Sequence, residues 1–183
     1  VCLPLICQSL DASITLGYRV HFQQALEQYN QARFGLAEDY FHAILTQDKD
    51  YADPAAQLML AKSQYHQGEW KQALRTCKSY ITSYPDSPYE NHAQILMGDI
   101  LLVQGQVTSA FERYLRIRTL AVDSIQLQGI DERLLNCIAN DIDPHRLEGL
   151  LFQEPDKPNR AILNLTRAYA AWKNGNRYDL ELV

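Results

Sequence analysis

Gln67-Gly68-Glu69-Trp70-Lys71-Gln72-Ala73-Leu74 and Gln104-Gly105-Gln106-Val107-Thr108-Ser109-Ala110-Phe111 share one pattern, Q-G-x-apolar-x-x-A-apolar, at a shift of 37 residues. Self-similarity at a fixed period of 20 to 50 residues is the signature of a repeat architecture. An apolar stretch of helical spacing precedes each copy, Gln57 to Tyr65 in one and Gln94 to Leu102 in the other. Upstream, Phe34-Gly35-Leu36-Ala37-Glu38-Asp39-Tyr40-Phe41 repeats the second-helix pattern, with Ala37 standing 36 residues before Ala73. Downstream, Ala161 to Lys173 followed by Asn174-Gly175-Asn176-Arg177-Tyr178 restarts it.

Boundaries are marked independently of the period. Asp53-Pro54, Ser87-Pro88 and Asp143-Pro144 each set a capping side chain before a proline, whose missing N–H costs nothing in the first helical turn. Ser87-Pro88-Tyr89-Glu90 also reads as a capping box. Gly68, Gly105 and Gly175 fall where a tight turn between helices needs positive φ. These signals predict helices over 16–31, 34–47, 54–67, 70–83, 88–103, 107–121, 123–139, 144–152 and 159–173. The expected organisation is an apolar segment at 1–17, three repeats over 18–124, an irregular helical insert and loop at 125–158, and an incomplete fourth repeat at 159–183.

Ala37-x-x-x-Phe41, Ala73-x-x-x-Cys77 and Ala110-x-x-x-Tyr114, with Met97-Gly98 in the first-helix small-residue slot and Pro85 at a repeat end, resemble the tetratricopeptide repeat. The resemblance implies an all-α, tandem helix-turn-helix solenoid wound as a right-handed superhelix, and a non-enzymatic scaffold. The linker Tyr80-Ile81-Thr82-Ser83-Tyr84-Pro85-Asp86-Ser87-Pro88-Tyr89 further resembles that of bacterial envelope repeat proteins, the TolA-binding protein and BamD-type lipoproteins. That resemblance implies a periplasmic or envelope-associated place; a cytoplasmic repeat protein is the alternative. Similar repeats precede a periplasmic-binding-protein-like ligand domain in some envelope proteins, so a regulatory segment of a larger protein is the second functional reading. The unfinished repeat at Val183 is expected of a fragment or of an end that a partner completes.

Composition narrows the function. Seventeen Lys and Arg against twenty-two Asp and Glu give a net charge of -5, and no block of cations exists to hold a phosphate backbone, which argues against nucleic acid. No run approaches the roughly 18 apolar residues that span a bilayer, so membrane association is expected only through a larger complex or a missing anchor. Val1 to Leu10 is uncharged and reads either as a signal remnant or as a cap on the first repeat. Cys2, Cys7, Cys77 and Cys137 form no C-x-x-C, and the five histidines no paired-ligand spacing, so no metal or other cofactor is expected. Cys77 and Cys137 read as inert packing. Glu38-Asp39 and Asp48-x-Asp50 read as a solvated face and a loop, not as a glycosidase or metal site.

In stacked helix pairs the first helices line the concave face. Exposed residues there at helical spacing are the expected contacts for another protein or peptide segment: Phe22 and Tyr29, then Lys62, Tyr65 and His66, then His92 and Asp99, and finally Tyr169 and Trp172. The cation and amide positions that grip a terminal carboxylate in some relatives hold Phe22, Leu26, Met59, His92 and Leu96, so no such clamp is expected.

Overall fold

The computed structural model describes residues 4–47, 53–121, 123–139, 142 and 144–173. Nine α-helices and no strand occur among them: α1 (Pro4–Asn30), α2 (Phe34–Gln47), α3 (Pro54–His66), α4 (Trp70–Ser83), α5 (Glu90–Val103), α6 (Val107–Arg118), α7 (Ser124–Ala139), α8 (Pro144–Gln153) and α9 (Lys157–Lys173). The all-α repeat class read from the sequence is the class observed. Two compact units divide the chain, residues 1–96 and 97–183.

The helix starts follow from capping chemistry. Asp53 accepts the Ala56 N–H at 2.9 Å with Pro54 at the first position of α3. Asp123 accepts the Gln126 N–H at 2.7 Å below α7, and Asp156 the Asn159 N–H at 2.9 Å below α9. α8 opens at Pro144 as expected; the cap assigned to Asp143 lies outside the described residues. Gly68 and Gly105 adopt φ of 81° and 75°, as the turns they occupy demand.

Three helix starts differ from expectation by two residues or more, and α6 ends at Arg118 where residue 121 was expected. α1 begins at Pro4 and not near residue 16, so the apolar segment runs helically into the first repeat. α5 begins at Glu90, not Pro88: a turn closed by the Glu90 N–H on the Ser87 carbonyl at 3.0 Å precedes it, the Ser87 hydroxyl accepting the Tyr89 N–H at 3.3 Å and lying 2.7 Å from the Tyr80 hydroxyl. Asp86 in that linker takes φ 67°. α9 begins at Lys157, capped by Asp156 within what reads as a loop. Gly175 lies outside the described residues.

In the first unit, α1, α2 and α3 close on Ala25, Ala37, Phe41, Ile44, Ala56 and Leu60, flanked by Tyr18, Phe22, Leu26, Tyr29, Leu45 and Met59. A second cluster joins α3, α4 and α5 through Leu58, Tyr80 and Ala93, with Ile81 and Tyr84 against it. The repeat's small position is fully buried in all three copies, Ala37, Ala73 and Ala110, and so is the residue four later, Phe41, Cys77 and Tyr114. Small side chains let helix axes approach, and the larger residue one turn on fills the space this leaves.

A polar seam ties the repeats of this unit. Glu38 accepts the side-chain amides of Gln64 and Gln72, each at 3.0 Å, and that of Gln67, while Thr76 donates to Gln64 at 2.7 Å. The expectation that Glu38 sits on a solvated face is corrected: it is half-buried and draws α2, α3 and α4 together. The buried Gln64 amide needs an acceptor, and the carboxylate that supplies it also takes the amides of Gln67 and Gln72.

Ion pairs among the described residues of the second unit join Asp99 with Arg133, Arg118 with Asp131, and Arg146 with Glu112. Its core includes Phe111, Tyr114, Ile130, Leu134, Cys137, Leu147 and Leu163, all buried. Asn159 is fully buried and donates to the Leu115 carbonyl at 3.2 Å.

Candidate protein-binding face

Of the residues expected to contact a partner, the first unit brings three together. Tyr29 from α1 and Tyr65 and His66 from α3 meet at the turn end of the helix pairs, joined by Phe34, the first residue of α2. The His66 and Phe34 rings stack with centroids 4.6 Å apart and planes 16° from parallel. Tyr29 meets Phe34 edge-on at 5.3 Å and His66 at 5.7 Å, and Tyr65 meets His66 at 5.3 Å. Offset and edge-to-face arrangements are the favourable ones for aromatic quadrupoles. His66 itself is exposed while Tyr29, Phe34 and Tyr65 are half-buried, so the cluster is a shelf at the edge of the first-unit core, open to solvent at His66. Burial raises the Tyr29 hydroxyl above its ordinary range, so the phenol stays a neutral donor.

Lys62, one turn before His66 on α3, is half-buried, and desolvation lowers its ammonium below the usual lysine range. No carboxylate among the described residues forms an ion pair with it.

The other expected contacts are placed differently. Phe22 points into the first-unit core, stacked on Tyr18 at 5.9 Å and edge-on to Phe41 at 5.6 Å. His92 is exposed and meets Tyr89 edge-on at 6.3 Å. In the second unit Asp99 is engaged internally: it accepts the Tyr114 hydroxyl at 2.7 Å and takes a two-pronged contact from Arg133 at 2.7 and 3.1 Å. Burial, reinforced by Asp99, pushes the Tyr114 hydroxyl far above its ordinary range and the Cys137 thiol up to about 12. Such a thiol stays protonated and unreactive at neutral pH. Tyr169 lies half-buried beside an exposed Trp172 on α9, their rings 5.6 Å apart.

Phe34 is the member of the shelf that the sequence pattern alone does not single out. A signal for it is present: aligned on the period, Phe34 takes the place of Trp70 and Val107 just after the turn. By itself that place reads only as the opening of a core helix.

Among the described residues no helix is long and apolar enough to cross a membrane, and no group of three or more potential ligands could hold a metal ion. A family profile described as Tetratricopeptide repeat matches residues 22–88. Two crystal structures of the nearly identical TPR-like repeats of a Podosopora anserina protein described as a kinesin light chain are similar in fold, one of them a point variant. The variant superposes with a TM-score of 0.58 at 17% identity and the other with 0.55 at 16%, and each match covers 90% of this chain and 90% of the other. Among curated proteins none matches. Residues 22–88 are thus similar to the tetratricopeptide repeat, and the chain has the fold of TPR-like repeat proteins, a class whose general work is to bind other proteins.

Proposed function

We propose that this chain is a scaffold that holds a segment of another protein against the first helices of its N-terminal unit, α1 and α3. The observation that carries the reading is the Tyr29–Phe34–Tyr65–His66 shelf, in which rings are ordered by one another while His66 stays open to solvent. Rigid aromatic groups bring large contact area at small entropic cost, the usual make-up of an interface hot spot. The half-buried cation beside the shelf, Lys62, forms an ion pair with no acid among the described residues, which leaves its charge available to an acidic group of a ligand. His92, on α5, is the expected flank of the same face.

The Tyr65→Ala, His66→Ala double variant tests this. Quantitative capture of the native partner is expected to fall at least tenfold, with helicity by circular dichroism unchanged. Equal capture by variant and parent would move the site off this face.

An envelope location is supported by the Tyr84-Pro85-Asp86-Ser87-Pro88-Tyr89 linker, which the Tyr80–Ser87 hydrogen bond gives a defined form. Fractionation of the native cells checks it, and recovery with cytoplasmic markers would overturn it.

A further inference from the structure

Lys62 and Asp99 hold the same place in successive repeats, 37 residues apart, and only one of the two charges is answered by an ion pair among the described residues. Asp99 is met by the Tyr114 hydroxyl and the Arg133 guanidinium. One period earlier, the residues in the places of Tyr114 and Arg133 are Cys77 and Leu96, neither of which carries a countercharge. Glu38 cannot serve Lys62. It is held by Gln64 and Gln67, which lie about 140–200° around α3 from Lys62 at 100° per residue. The result is a half-buried ammonium, paired to no carboxylate among the described residues, three and four positions before Tyr65 and His66. Positions at that spacing share one helix face.

Resting on the binding face argued above, we propose that Lys62 is the charge anchor for an acidic side chain of the bound segment, and that the aromatic shelf seats an apolar side chain of the same segment. Geometry fixes the spacing. Lys62 and His66 are about 6 Å apart along the helix axis, which an extended chain crosses in about two residues. The segment therefore carries aspartate or glutamate two positions from an aromatic or aliphatic residue, and is acidic where the surface of α3 is not. Burial already lowers the ammonium, so the charge costs free energy while unpaired and gains most from a carboxylate that arrives with its own apolar surround.

The test uses the full chain and a displayed library of random twelve-residue peptides as the probe. Peptides selected on the parent are expected to share an acidic residue two places from an apolar one, and exchange of that acid for its amide should weaken binding about tenfold. Selection on Lys62→Met should keep the apolar preference and lose the acidic one, and Lys62→Glu should favour basic residues instead. Circular dichroism confirms that both variants fold. Selected peptides that need Tyr65 and His66 but show no acidic preference, or keep it against Lys62→Met, would overturn the anchor alone. Peptides indifferent to Tyr65→Ala with His66→Ala, or no selected peptide at all, would overturn the binding face itself.

Discussion

Ala32 adopts φ 57° in the turn between α1 and α2, at the place that Gly68 and Gly105 take in the two later turns. A β-carbon in the left-handed region crowds the following carbonyl at a cost of roughly 1–2 kcal/mol, which glycine avoids. Ala32→Gly should therefore stabilise the protein by about 0.5–1 kcal/mol, since glycine's extra freedom in the unfolded chain returns part of the gain. A higher urea midpoint at unchanged slope would show it, and a lower one would mean that the turn is not strained. The same position explains why the first repeat is harder to read. Gln31-Ala32-Arg33-Phe34 is the counterpart of Gln67-Gly68-Glu69-Trp70, and the punctuating glycine is missing from it. Where the local chemistry is intact, as at Asp53-Pro54 and the two glycines, the turns and caps are legible, because each rests on residues within a few places of one another. Glu38 and Asp99 escape a local reading for the opposite reason. Their partners lie 26 to 34 residues away in the case of Glu38, and 15 and 34 away in the case of Asp99, distances that no local pattern encodes.

Between helices, the repeats trade volume. In the third repeat Gly98 of α5 faces Tyr114 of α6, and a β-carbon at residue 98 would lie 2.3 Å from a Tyr114 ring carbon. The corresponding pair one repeat earlier is Ala61 and Cys77, both fully buried, with the methyl group present and the ring absent. Gly98→Ala should thus force α5 and α6 apart or swing the Tyr114 ring from its bond to Asp99, at a cost of about 2 kcal/mol or more. Tyr114→Cys is expected to absorb most of that penalty, giving a double variant far from additive in chemical denaturation. Additive losses would show that the two positions do not share the space. Here the sequence shows the positions and their classes, but not that a glycine in one helix and a tyrosine in the next are a single fit.

Across the chain, stability is assembled from neighbours and not from one centre. Phe41 belongs to the core of residues 1–96 and Leu134 to that of residues 97–183. In repeat folds each helix pair answers mainly to the pairs beside it. Phe41→Ala, a loss of about 3–5 kcal/mol, should release amide protection in α1 to α3 while α7 and α9 keep theirs, and Leu134→Ala should do the reverse. Uniform loss of protection throughout in either variant would argue for one cooperative body. The fold class is legible at this scale because a period survives divergence in individual residues. The irregular stretch between α6 and α9 is less so, since it carries no second copy against which to be aligned.

The pairing of Asp99 with Arg133 bears on ancestry as well as stability. A gene that grows by copying a 37-residue increment can add or drop increments without damage only while their flanks are interchangeable. Here they no longer are. A duplicate of the second increment laid in the third's place would bring lysine to stand against Arg133, two like charges where an ion pair was, so the order of the increments has become fixed and the array can no longer be shuffled silently.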